Sequence, residues 1–95
     1  MIIVWSDEAL HDLSNLRAFI ANDSPKAARE TAMRIVLAVE TMLAANPQIG
    51  RPGRVPGTRE LVIPGTPFIV PYRVQAGTVQ ILRVYHGARP WPDRF

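Results

Sequence analysis

The sequence predicts an α+β fold, a helical first half followed by a small antiparallel sheet, and two asymmetries along the chain predict it. All six glycines and eight of the nine prolines lie after residue 46, while nine of the eleven alanines lie before it. Alanine favours helix, whereas glycine and proline punctuate turns and short strands. Charge divides at the same place. Residues 1–47 hold four basic and six acidic side chains, a net −2, and residues 48–95 hold seven arginines against Glu60 and Asp93, a net +5. The 95 residues are expected to form one domain, 1–95. A chain of that size hides roughly 60–65% of its unfolded surface, enough for one modest core.

Each element follows from local signals. Ile2 to Trp5 is a short β-branched run that suits a first strand. Ser6 or Asp7 can cap a helix, with acidic groups in its first turn where the dipole favours them. Leu10, Leu13, Leu16 (or Arg17) and Ile20 then recur at three- and four-residue spacing, which is one apolar stripe. Asn22-Asp23-Ser24-Pro25 stops that helix and starts another, with Ser24 as cap and Pro25 in the first turn. Ala28, Ala32, Ile35, Val39 and Met42 form the second stripe, and Asn46-Pro47 ends it. So short a connection predicts an antiparallel helical hairpin.

The loop 46–57 is dense in glycine and proline and carries Arg51 and Arg54. Strands are expected over 59–63, 68–74 and 79–86, the first two joined by a type II turn with Pro64-Gly65 at its centre. The last hairpin admits two registers. A two-residue loop, Ala76-Gly77, would pair Tyr72 with Ile81. A three-residue loop, 75–77, would pair Tyr72 with Gln80 and give Gly77 the left-handed position of a type I turn with bulge. The second is the expected one. It puts Phe68, Val70, Tyr72, Leu82, Val84 and His86 on one face, and Ile69, Pro71, Arg73, Ile81, Arg83 and Tyr85 on the other.

The chemistry available is narrow. Without cysteine there is no disulfide scaffold, Cys-bearing zinc site or thiol catalysis. His11 and His86 stand apart with no HExxH or paired ligand spacing, so neither a metal nor another cofactor is expected. Ser6, Ser14 and Ser24 sit in or beside the helical half, away from both histidines in sequence, which argues against a serine triad. Even an unbroken apolar run such as Ile35 to Val39, which none exceeds in length, is far short of the ~18 residues a spanning helix needs. MIIVWSDE has neither the basic leader nor the apolar length of a signal peptide. The expectation is a soluble, cytoplasmic protein with no membrane partner. What remains is arginine. Ten of eleven basic residues are arginines, suited to bidentate recognition of phosphate or carboxylate. With Tyr85-His86 beside them, they are the minimal equipment for metal-free RNA cleavage: guanidiniums to hold the phosphorus charge, and a histidine or tyrosine to move the proton.

The segments RELVIPGTPFIVPYRV (59–74) and VQILRVYHGARPWP (79–92) closely resemble the RelE/ParE superfamily of bacterial type II toxins. W-S-x-x-A-x-x-D-L at 5–13, P-x-A-A at 25–28 and N-P-x-x-G-R at 46–51 agree with it. The resemblance implies a β-α-α-β-β-β domain, with the helical hairpin packed on a small curved antiparallel sheet. It also implies a cognate antitoxin that binds the toxin in a hetero-oligomer. RelE-like members cleave mRNA on the ribosome, and ParE-like members poison DNA gyrase. Against the nuclease pattern, Arg83 and His86 match a basic or histidine position near the end of the last strand, and Arg59 a basic residue of the second strand. The phosphate-binding arginine expected four residues before Arg73 is Ile69, and the tyrosine some members place after the histidine is Gly87. The ending V-Y-H-G-A-R-x-W-P is similar to the ParE-like group. Three readings follow: a gyrase-directed toxin, which the pattern favours, a ribosome-dependent endoribonuclease, or a non-toxic, autoregulatory antitoxin-binding partner. The first and third are not enzymes. If the chain is a nuclease, its catalytic candidates are Arg59, Arg73, Arg83, Tyr85 and His86. Candidates for contact with target or antitoxin are Arg51, Arg54, Arg59, Arg73, Arg83, Arg89 and Trp91.

Overall fold

Two serines set where the helices begin. Ser6 Oγ accepts the Ala9 N–H at 3.0 Å and opens α1 (Asp7–Ala21); Ser24 Oγ accepts the Ala27 N–H at 3.1 Å and opens α2 (Pro25–Ala38). The computed structural model describes residues 1–95. The strands are β1 (Ile2–Trp5), β2 (Arg51–Pro52), β3 (Arg59–Val62), β4 (Phe68–Gln75), β5 (Thr78–Ile81) and β6 (Tyr85–His86). The helical hairpin covers one face of the sheet. Ala9, Leu16, Ile35, Val39 and Leu43 meet Leu61, Ile63, Val70, Tyr72, Val79, Ile81 and Val84 in one buried cluster.

The expected α+β order holds, with two refinements. The sheet runs β1-β5-β4-β3-β2, and β1 lies parallel to β5, so it is mixed rather than wholly antiparallel. The two helices carry the chain from one edge of the sheet, and β1 then pairs with the second strand of the last hairpin. The second helix also outlasts its simple periodicity. Val39–Leu43 is a π-helical turn, and one extra residue per turn delays the stripe. Leu43 is therefore fully buried, and Met42, the expected position, only half.

The last hairpin takes the two-residue loop and not the expected three-residue one. Tyr72 pairs with Ile81 and Gln75 with Thr78, leaving the two-residue loop Ala76-Gly77. Both residues have positive φ, 51° and 76°, a signature of a type I′ turn. The expectation reserved the left-handed region for glycine; Ala76 occupies it at a cost of about 1 kcal/mol. Ile81 consequently joins Tyr72 in the core, and Leu82 leaves it.

That register would send Val84 and His86 to the wrong face, but a bulge corrects it. Past Ile81, Tyr85 pairs with Ile69 and His86 with Phe68, so residues 82–84 oppose only Val70 and Pro71. Val84 returns to the core. The bulge's loose polar groups are taken by the start of α1: Ser6 Oγ donates to the Leu82 carbonyl at 2.8 Å, and the Val84 N–H donates to Asp12 Oδ2 at 3.0 Å.

Candidate functional site

Strand alternation decides which candidate residues can meet. Tyr72 and its partner Arg59 point to the helix side, as do Phe68 and its partner His86. Ile69, Pro71, Arg73 and Tyr85 point to the opposite side. The five nuclease candidates are thereby divided between two faces.

On the helix side the groups are already engaged. Arg59 Nη1 donates to the Gly50 carbonyl at 2.8 Å and to the Gln48 carbonyl at 3.3 Å, fastening the 46–50 loop. Tyr72 Oη accepts the Gly50 N–H and donates to the Pro47 carbonyl, both at 2.8 Å. Burial pushes the Tyr72 phenol above its ordinary pKa, opposed by the Gly50 N–H and by the Arg59 charge. His86 stacks edge-on against Phe68 at 5.7 Å, and its Nδ1 accepts the Ala88 N–H at 3.1 Å. Only Nε2 is left to address a ligand.

On the opposite side, aromatic rings and guanidiniums build a layered cluster. Tyr85 is buried beneath Arg83, 4.7 Å from its ring centre, and Arg89, at 4.3 Å. Trp91 packs edge-to-face on Tyr85 at 5.2 Å and carries Arg54 over its own ring at 4.1 Å. Phe95 closes the cluster, 6.2 Å from Tyr85 and 6.5 Å from Trp91. The Trp91 Nε1–H is enclosed without an acceptor. Cation–π attraction favours guanidiniums over ring faces and leaves their N–H groups free to meet other acceptors.

Two carboxylates that the residue-by-residue reading passed over organise this face. Glu60, with 1% of its side chain exposed, accepts Arg51 Nε and Nη2 at 3.1 and 2.9 Å and the Arg54 N–H at 2.8 Å; Arg54 Nε stands 3.6 Å away. Asp12 takes Arg83 in a two-pronged pair, Nε at 2.7 Å and Nη2 at 2.8 Å. That hydrogen bond is the main reason the Arg83 guanidinium holds its proton even more tightly than usual, against the cost of burial. Asp12 had a signal in the sequence, as the acid of W-S-x-x-A-x-x-D-L. Glu60 had only its isolation among arginines.

The contact candidates therefore sort themselves. Arg51, Arg59 and Arg83 are tied into the fold. Arg54 is half committed. Arg73 and Arg89 have no carboxylate partner. The chain contains no cluster of three metal-ligating side chains, and no helix is long and apolar enough to cross a membrane.

On the far surface, a cavity of about 530 Å³ lies between α1 and α2, lined by Leu10, Leu13, Ala32, Met33 and Val36 with Arg17 and Arg29 beside them. Leu10 and Met33 are largely exposed there.

Comparisons with known proteins agree along nearly the whole chain. Residues 3–91 match the family model described as the ParE toxin of the type II toxin–antitoxin system parDE. The chain is 44% identical over 91 residues to putative toxin Y4kP of Sinorhizobium fredii, covering 96% of this chain and 93% of that protein. It is 37% identical over 87 residues to toxin RelE2 of Caulobacter vibrioides, covering 92% and 96%. A solved structure titled as the chromosomal ParDE system from P. aeruginosa superposes with a TM-score of 0.80 at 33% identity, covering 90% of this chain and 95% of that one.

Proposed function

Because the chain belongs to the ParE toxin family of type II toxin–antitoxin systems, we propose that it arrests growth by poisoning DNA gyrase, and that a cognate antitoxin neutralises it. One observation carries the choice of target. A nuclease needs its phosphate clamp and its proton-transfer group at one place. Here His86 and Arg59 face the helix side, Tyr85 and Arg73 face away, Tyr85 is buried, and Ile69 stands where the clamp would be. Such a surface can dock against a large partner, while the one candidate proton-transfer group beside guanidiniums, Tyr85, is buried beneath Arg83 and Arg89.

The same chemistry supports the antitoxin half of the reading. The apolar groove between α1 and α2, edged by Arg17 and Arg29, suits an amphipathic antitoxin segment of acidic character.

The test uses the purified chain with gyrase, DNA and ATP alone. The expected result is inhibited supercoiling or accumulation of cleaved DNA, reversed by the antitoxin. No effect there, together with mRNA cleavage on purified ribosomes, would overturn the assignment in favour of a ribosome-dependent nuclease.

A further inference from the structure

We propose that the sheet face opposite the helices binds duplex DNA directly, through the phosphate backbone and without reading sequence. The proposal stands apart from the gyrase reading, since it requires binding by the chain alone.

The face is built from donors. Arg54 and Arg89 sit over the Trp91 and Tyr85 rings, at 4.1 and 4.3 Å, and the rings pack against each other. A guanidinium fixed in this way loses less side-chain freedom when it meets a phosphate oxygen. The two carboxylates packed into this face are already engaged: Glu60 is divided between Arg51 and Arg54, and Asp12 holds Arg83 and the Val84 N–H. No carboxylate forms an ion pair with Arg73 or Arg89. Arg73 lies four residues along β4 from Ile69, the partner of Tyr85, which is roughly 13 Å of strand. Duplex DNA presents about eight negative charges over that length of its axis.

The rings also decide between duplex and single strand. Single-strand binders offer bare aromatic faces on which bases stack. Tyr85 is 3% exposed beneath two guanidiniums, and Trp91 is covered by Arg54 and braced by Tyr85 and Phe95. The arginines stand where bases would. Backbone phosphates are the ligand that remains.

The experiment is fluorescence anisotropy of the purified toxin with a labelled duplex of about 20 base pairs, from about 50 to 200 mM salt. With Arg54, Arg73 and Arg89 each meeting one phosphate, log K falls against log salt with a slope of about −2.7. Arg73→Gln and Arg89→Gln each shorten that slope by about 0.9. Lys26→Gln, which removes one charge from the helical hairpin, changes neither slope nor affinity. The Arg73 side chain makes no hydrogen bond or ion pair within the fold, so its loss leaves no partner unpaired, and circular dichroism checks that both variants are folded. Any of four results would overturn the proposal. These are no binding at the lowest salt, an equal effect of Lys26→Gln, tighter binding to single strand than to duplex, or displacement by polyglutamate as effective as by unlabelled duplex. The last would reassign the face to an acidic protein. Gyrase inhibition without DNA binding would leave the toxin assignment intact and remove this inference alone.

Discussion

Replacing Asp12 with alanine should cost far more stability than replacing the arginine it holds. The Asp12 and Arg83 side chains are 12% and 30% exposed and meet at 2.7 and 2.8 Å. This pair lies between the surface case, worth about 0–1 kcal/mol, and the buried case, in which removing one partner costs about 3–5 kcal/mol. Asp12 also accepts the Val84 N–H at the bulge, and a buried donor left without an acceptor costs about 1–3 kcal/mol. Asp12→Ala therefore loses about 3 kcal/mol, a fall in Tm of about 12–24 °C for a domain of this size. Arg83→Ala leaves Asp12 bonded to Val84 and touching water, so its cost is about 1 kcal/mol, a fall of about 4–8 °C. Urea titration and thermal melts of both single variants and the double variant form the cycle. The double variant should be little worse than Asp12→Ala alone. Equal losses for the two singles, or Arg83→Ala the worse, would refute the view that Asp12 serves the bulge rather than the ion pair. The outcome matters for function, because loss of toxicity on substituting Arg83 would otherwise be mistaken for loss of a target contact.

Two further outcomes are expected. Ala76→Asn places at the hairpin tip the residue that tolerates positive φ before glycine, and should raise the urea midpoint by the equivalent of about 0.5–1 kcal/mol; a lower midpoint would mean that the tip is not a type I′ turn. Burial raises the Tyr72 phenol pKa, so the unfolded chain loses that proton first as pH climbs. Stability should be level with respect to this group up to about pH 10 and decline above it. Tyr72→Phe should abolish the decline and cost about 1–3 kcal/mol at neutral pH by orphaning the Gly50 N–H and the Pro47 carbonyl. A decline that persists in the variant would assign it to another group.

Local signals were legible where the physics is local. Ser6 and Ser24 cap the helices because a hydroxyl at that position reaches a free amide three residues on, whatever the rest of the chain does. Gly65, at φ +74°, fills the third position of its turn for a similar reason. The last hairpin was misread because two registers satisfied its turn residues almost equally. The choice fell to packing: Ile81 is worth more buried against Tyr72 than Ala76 costs in the left-handed region. The π-helical turn at 39–43 escaped notice because no residue type announces it. The nuclease candidates looked contiguous at Tyr85-His86, yet neighbours on a strand point to opposite faces.

The chain by itself determined the class of fold, the helix starts, the concentration of arginine in the second half, and the family through its ordered motifs. These rest on composition, caps and spacing, which act over a few residues. Only the tertiary structure decided which arginines are free. Asp12 and Arg83 are 71 residues apart, and they meet only because a bulge of one residue turns the last strand toward α1. A net charge of +5 in sequence thus becomes a smaller set of available groups, Arg73, Arg89 and Arg94 with part of Arg54. Ion pairing depends on distance in space, and the sequence carries that only through the fold.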